Sequence, residues 1–284
     1  MPVSIRNKNL FTSWIQECLP KSMNCPSWAL MKNGNPLGEA DLQRLSRLST
    51  PTVYNGWEHI TKHDRLGGFV NREPTTDYMP HMGPMVGYAV TGVFEPSNPA
   101  HLEGNPLAWK EYREYLGGES GPKIVITQDL DKPNFTGSVW GEVNASINRA
   151  LGCVGAIVDG CVRDVDEVNA VGFKFLAARL CVGHAFGYPV RWNCETKAFG
   201  ITVRPGDLIH ADKHGFLVIP PEDQESLLEA SLFMDRAECD TMISTARNSG
   251  GQPMEQVLAK VQEASEDFAR STGRKYGKTE KQKA

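Results

Sequence analysis

Along the first 60 residues, apolar positions recur at helical spacing. Phe11, Trp14, Ile15 and Cys18 fall on one face of a short helix that Pro20 would end. Pro26 and the GNPLG stretch around Pro36 interrupt the pattern and read as linker. A second helical pattern runs from Glu39 to about Leu48, and Ser49 or Thr50 ahead of Pro51 marks the start of a third. From Met85 the pattern shortens and becomes β-branched. MVGYAVTGVF, bounded by Pro84 and Pro96, predicts a strand, and KIVITQDL, VGAIVDG and FKFLAARLCV predict three more. Between them lie helical stretches at Pro106 to Leu116 (stopped by Gly117 and Gly118), Gly141 to Leu151 (stopped by Gly152) and Asp164 to Val171 (stopped by Gly172). Short strand candidates follow at YPVRW, GITVRP, DLIHAD and GFLVIP. After Pro221, DQESLLEASLFMDRAE and PMEQVLAKVQEASEDFA return to helical spacing.

Strands alternating with helices, then a run of short strands, predict mixed α/β layers. The late strands are too close together for crossover helices, so some of the pairing is expected to be antiparallel. The pattern divides the chain into an N-terminal extension (1–38), a central domain (39–220), a C-terminal helical extension (221–273) and a basic tail (274–284). The tail lacks the apolar residues a fold needs.

Composition narrows the function. The chain has 284 residues, a formal charge of −4 and 40 % apolar residues. That excludes fibrous and wholly disordered classes and argues against a nucleic-acid binder that works by bulk charge. No apolar run reaches the roughly 20 residues of a spanning helix, so no membrane partner is expected. Seven cysteines without a CxxC pair make neither a zinc ribbon nor a disulfide framework. Cys153, Cys161 and Cys181, in or beside apolar runs, read as small buried hydrophobes, and the cysteine usage points to a cytoplasmic protein.

The densest chemistry lies in WGEVNASINRALGCVGAIVDGCVRD. Glu142 opens a helix just after Gly141, and the following strand delivers Arg163 and Asp164 side by side. A helix N-terminus offers free N–H groups and the positive end of a dipole. An adjacent Arg adds a planar clamp for a second anionic oxygen. An Asp beside it can hold a hard cation such as Mg²⁺, with Glu142 bonded to one of the cation's waters. Structural roles compete. Glu142 could only complement the dipole, Asp164 could cap its own helix with Glu167 three residues on, and Arg163 could bridge either acid. Asp159, before Gly160, reads as a turn former. Among the histidines, His184 is within reach of a pocket, His210 reads as a strand residue and His214 as a turn residue. The spacing of the three matches no metal site. His59, His63, His81 and His101 read as surface or loop. Trp57, Tyr78 and Trp192 line either a pocket or the core.

These residues carry a family resemblance. Glu142, twenty intervening residues and then Arg163-Asp164, together with VGAIVDGCVRD and ITVRPGDLIHADKHGFLVIP, resemble the family of class II 4-hydroxy-4-methyl-2-oxoglutarate / 4-carboxy-4-hydroxy-2-oxoadipate aldolases and the regulator of ribonuclease activity A. The resemblance spans about Pro84 to Pro220. It implies an αββα sandwich resembling a phosphohistidine swivelling domain, to which this chain adds helical segments at both ends. It also implies a homotrimer, sometimes a hexamer, with sites between subunits. By the same resemblance, Asp164 ligates Mg²⁺ or Mn²⁺, Glu142 holds a metal-bound water, and Arg163 binds substrate and steadies an enolate. The N–H groups of Val143 and Asn144 receive a pyruvyl carboxylate. The implied activity is metal-dependent cleavage of a 2-oxo acid through a pyruvate enolate, by retro-aldol reaction or by decarboxylation of oxaloacetate. A larger specialised substrate, or a non-catalytic regulator that binds another protein, are the alternatives. Glu142 stands where the best-known aldolases have Asp, and Lys174 where a Pro is common.

Overall fold

The computed structural model describes residues 37–277, which lie in one compact unit, Asn33–Ala284. The helix expected over residues 11–18 and the linker at Pro26 lie outside the described residues.

Helices α1 (Glu39–Leu45) and α2 (Thr50–Ile60) open the unit. The Ser49 side chain accepts the Thr52 N–H and Pro51 occupies the first turn, which is the start signal the sequence carries. Strand β1 (Thr76–Asp77) precedes β2 (Met85–Phe94), whose ten residues are all buried. Then come α3 (Ala100–Gly104), α4 (Ala108–Gly118), β3 (Lys123–Asp129), α5 (Glu142–Ala150), β4 (Cys153–Val162), α6 (Val165–Val171) and β5 (Lys174–Leu180). Strands β2 to β5 are mutually parallel neighbours, as βαβ units require. Short strands β6 (Pro189–Trp192), β7 (Thr196–Ala198), β8 (Ile201–Val203), β9 (Leu208–Asp212) and β10 (Gly215–Ile219) follow. The other edge of β2 is shared: its first half pairs antiparallel with β9, its second half with β6. The result is one eight-stranded sheet plus a separate β7–β8 ribbon.

Alternation along β2 decides the layers. Val90 and Phe94 pack under α4, α5 and α6 with Tyr112, Leu116, Ala145 and Val168. Met85 and Ala89 point the other way, into a cluster that joins Ile124, Ile157 and Leu176 to Ile209, Phe216 and Phe199. One cluster drawing on both ends of the strand order means that the sheet curls round it. A third cluster sets Trp57, Leu45, Leu227 and Leu228 against Tyr88, Leu208 and Ile219. Helices therefore cover the outside of the curled sheet, in a mixed α/β fold.

The structure differs from the expected elements in several places. The helix at 106–116 begins at Ala108 and runs through Gly117 and Gly118. Strand β7 carries no strong signal of its own and exists because Phe199 and Gly200, both at positive φ, turn the chain back into β8. Asp159 is no turn former: Asp159-Gly160 lies inside β4 at an irregularity in its pairing. In the C-terminal helical extension, α7 (Pro221–Glu238) packs into the cluster of α1 and α2, and Trp57 Nε1 donates to Asp223 at 2.9 Å. The last helix, α9 (Met254–Tyr276), follows a π-helical turn at Cys239–Ile243 and α8 (Ser244–Asn248), and it runs past the expected start of the tail at 274. No helix among the described residues is long and apolar enough to cross a membrane.

Candidate functional site

The segment before α5 is fastened to the end of β4. Trp140 is buried, stacks on Phe173 and donates its indole N–H to Thr127 Oγ1 at 2.8 Å. Its backbone forms a parallel bridge with Val162, and its carbonyl accepts the Arg163 N–H at 3.0 Å. Ser138 Oγ donates towards the Trp140 and Cys161 carbonyls and accepts the Trp140 N–H. These bonds bring the start of α5 beside Arg163 and Asp164.

Gly141 is the N-cap of α5 and has no side chain to offer the first-turn N–H groups. Asp164 does that from 22 residues away: its Oδ2 accepts the Glu142 N–H at 3.1 Å. Asp164 also stands at the N-cap of its own helix, α6, yet makes no side-chain cap bond there. The capping box with Glu167 is therefore not formed. Asp164 holds a left-handed backbone, φ +55°, a conformation that costs a non-glycine residue of order 1–3 kcal/mol and recurs at functional sites. A Cβ added at Gly141 would overlap Asp164 Oδ2 and stand 3.1 Å from Arg163 Nε, so only glycine fits between the helix start and this pair.

Arg163 is half-buried, with Nε 3.4 Å from Asp164 Oδ2 and one terminal nitrogen donating to the Val182 carbonyl at 3.1 Å. The bridge expected as a structural role is present with Asp164. Val182 belongs to a strap, residues 181–187, that packs on the approach to α5: Ser138 N–H donates to Gly183 O, and a Cβ at Gly137 would meet His184 and Ala185 at under 3 Å. His184 sits on this strap with Nδ1 2.9 Å from the Ala185 carbonyl. The N–H groups of Val143 and Asn144 have no acceptor among the described residues, while the Asn144 side chain donates to the Val139 carbonyl at 2.5 Å. The Glu142 side chain is exposed. Two N–H groups, a guanidinium and the Asp164 carboxylate thus meet at one corner, where Glu142 opens the helix. Val143, Val182 and Phe186 there are exposed by 71 %, 94 % and 59 %.

No three His, Cys, Asp or Glu side chains among the described residues converge as a metal site. That donor set does not suit zinc, which takes three or four protein ligands. It suits a hard ion that keeps most of its waters, because Asp164 Oδ1 and the Glu142 carboxylate have no partner among the described residues.

Of the buried polar residues nearby, Asp129 was not singled out by the sequence, and Lys174 and Asp159 take roles that the sequence did not indicate. Lys174 is fully buried in β5, with Nζ 2.6 Å from Asp77 Oδ2 and further bonds to the Met79 and Gly83 carbonyls. It pins residues 77–83 to the sheet. Asp159 is buried and accepts from Lys132 Nζ at 2.8 Å and Phe199 N–H at 2.9 Å. Asp129, at the end of β3, has its carboxyl pushed up to about 7 by burial. Alternation marks such positions as inward-facing, which is the one sequence signal they carry. His210 is buried, with Nδ1 2.9 Å from Thr50 Oγ1, and Trp57 is core.

Residues 59–218 match the family model described as "RraA-like: Aldolase/RraA". A Halalkalibacterium halodurans protein named "Putative 4-hydroxy-4-methyl-2-oxoglutarate aldolase" is 30% identical over 112 residues, 39% of this chain and 53% of that one. Protein DlpA of Legionella pneumophila is 24% identical over 204 residues, 71% of this chain and 30% of its own. The matched stretches thus span about half or less of these relatives. The crystal structure of Streptomyces coelicolor RraAS2, described as an unusual member of the RNase ES inhibitor RraA protein family, superposes with a TM-score of 0.52 at 21% identity, covering 73% of this chain and 96% of that one.

Proposed function

Because the chain belongs to the RraA-like family, we propose that it is a carbon–carbon lyase that acts on a small 2-oxo acid and releases pyruvate through its enolate. The observation that carries this reading is the bond from Glu142 N–H to Asp164, which joins the start of α5 to Arg163-Asp164 across a bare glycine. The name of the H. halodurans relative supports it.

The free N–H groups of Val143 and Asn144 receive the substrate carboxylate, as the positive end of a helix does. The Arg163 guanidinium, steered by the Val182 carbonyl and Asp164, meets the 2-oxo oxygen. In retro-aldol cleavage of a 4-hydroxy-2-oxo acid, the C4 hydroxyl loses its proton and the C3–C4 bond breaks. The electron pair then passes into the enolate. Loss of CO₂ from oxaloacetate leaves the same enolate, and protonation at C3 gives pyruvate. Negative charge grows on the oxygen beside Arg163, so the guanidinium binds the transition state more strongly than the ground state. Asp164, and Glu142 through water, would hold Mg²⁺ or Mn²⁺, which when bound supplies Lewis acidity to the 2-oxo acid. No Schiff-base lysine is required. The exposed apolar side chains round the corner support a homotrimer or hexamer in which a second copy covers the site.

The test is pyruvate release from a panel of 4-hydroxy-2-oxo acids and oxaloacetate. Release that EDTA abolishes and Mg²⁺ or Mn²⁺ restores is expected. Bound metal with no turnover on any small oxo acid would instead favour a larger substrate, a reading motivated by the helices beyond residue 218, outside the matched region.

A further inference from the structure

Away from Glu142, Arg163 and Asp164, the fold forms an open cavity of about 510 Å³ between the β7–β8 ribbon, the loop before β1 and the start of α7. That volume lies within the range of small-molecule sites, roughly 300–1,000 Å³. Phe69, Ile201, Val218 and Pro220 supply apolar wall. The Phe69 ring is held against Trp57 at 5.3 Å and His63 at 5.0 Å, so this wall is braced by its neighbours.

Most of the charges in the lining are already matched. Arg204 pairs with Glu195 at 3.1 Å, and Glu222 pairs with His63 at 2.7 Å. Asp207 accepts the Arg204 N–H at 2.8 Å, and burial pushes its carboxyl up to about 6. Arg72 is different. Its guanidinium donates to the Leu66 carbonyl at 2.6 Å, and no carboxylate among the described residues pairs with it. The fork makes no other hydrogen bond among the described residues, and it lines the cavity. Gly68 leaves the approach open: it holds φ +91°, and a Cβ there would stand 3.8 Å from an Arg72 terminal nitrogen and 4.0 Å from Ile201 Cγ2. The glycine thus borders both the cation and the apolar wall.

We propose that this cavity binds a small organic anion, one carboxylate or phosphoryl group on Arg72 with an apolar body against Phe69, Ile201 and Pro220. A guanidinium fork matches either group bidentately, and the apolar wall supplies the area that a free inorganic ion could not use. The site is separate from the Arg163 corner and stands whether or not the lyase reading holds.

The experiment uses the full chain and three probes that share a phenyl ring: phenyl phosphate, benzoate and benzyl alcohol. Binding is followed by saturation-transfer NMR and calorimetry. Saturable binding of at least one anion is expected, with benzyl alcohol at least about tenfold weaker. Arg72→Gln should weaken the anion by about tenfold or more, as loss of a charge-assisted hydrogen bond predicts. Arg72 is exposed, so this variant should melt with the wild type. Arg163→Gln should leave binding unchanged. The proposal is overturned if neither anion binds, if benzyl alcohol binds as tightly, or if the loss follows Arg163 instead of Arg72. The relative strength of phenyl phosphate and benzoate decides which anionic group the pocket prefers.

Discussion

At the scale of single residues, Asp164 anchors the candidate site. It caps a helix that is not its own, borders Arg163, and has one oxygen without a partner among the described residues. Removing its side chain costs the cap, about 1 kcal/mol, and should leave the fold intact. Gly141 is its counterpart. With φ −160° it needs no special backbone freedom, so Gly141→Ala tests space alone. The added methyl displaces the Asp164 carboxylate and should lower turnover far more than it lowers the melting temperature. A calorimetric melt beside a rate measurement would show this, and an unimpaired rate would mean that the contact is irrelevant. Glu142, Arg163 and Asp164 stood out in the sequence as a candidate site through the resemblance, while their spacing alone left structural roles open. That Asp164 abandons its own helix for α5 was not legible, because a capping pattern says which residues can cap and nothing about a competing N-terminus brought in by the fold.

At the scale of elements, chain order and periodicity predicted most of the strands and helices that surround the site. Glycine stops worked where a positive φ ends a helix, as at Gly152 and Gly172. They failed at Gly117 and Gly118, which stay helical. Strand β7 and the inward carboxylates escaped because tertiary partners create them: Phe199 N–H and Lys132 both need Asp159 inside β4. The Lys174–Asp77 pair makes the strongest element-scale prediction. Both side chains are 2 % exposed. Lys174→Met leaves Asp77 buried without its partner and should cost about 3–5 kcal/mol. Pairing it with Asp77→Leu should recover much of that loss, since a well-packed apolar pair is often no worse than a buried ionic one. Denaturant melts of the three variants decide it; equal destabilisation by single and double variants would contradict the account.

At the scale of the whole molecule, stability should depend on pH through its buried acids. Asp129 titrates near 7 in the fold, against an ordinary value of 3.8, and Asp207 is raised to about 6. A carboxyl that holds its proton more tightly when folded makes the native state bind more protons than the unfolded chain. Stability therefore falls as pH rises from about 4 to about 7. Asp129→Asn should flatten that slope in melts across the window, and an unchanged slope would place its cause elsewhere. The exposed apolar rim at Val143, Val182 and Phe186 predicts an oligomer. Val182→Arg should shift it towards the monomer by light scattering and reduce turnover with it. The central claim is that Asp164 and its neighbours make a pyruvate-releasing site. Its most direct test is the rate of pyruvate release by the wild type and Asp164→Asn, at saturating Mg²⁺ or Mn²⁺, on the best oxo acid of the panel. Asparagine keeps an acceptor for the Glu142 N–H and removes only the charge, so the account predicts an unchanged melt and a rate lower by about a hundredfold or more. A variant that turns over as fast as the wild type would contradict it.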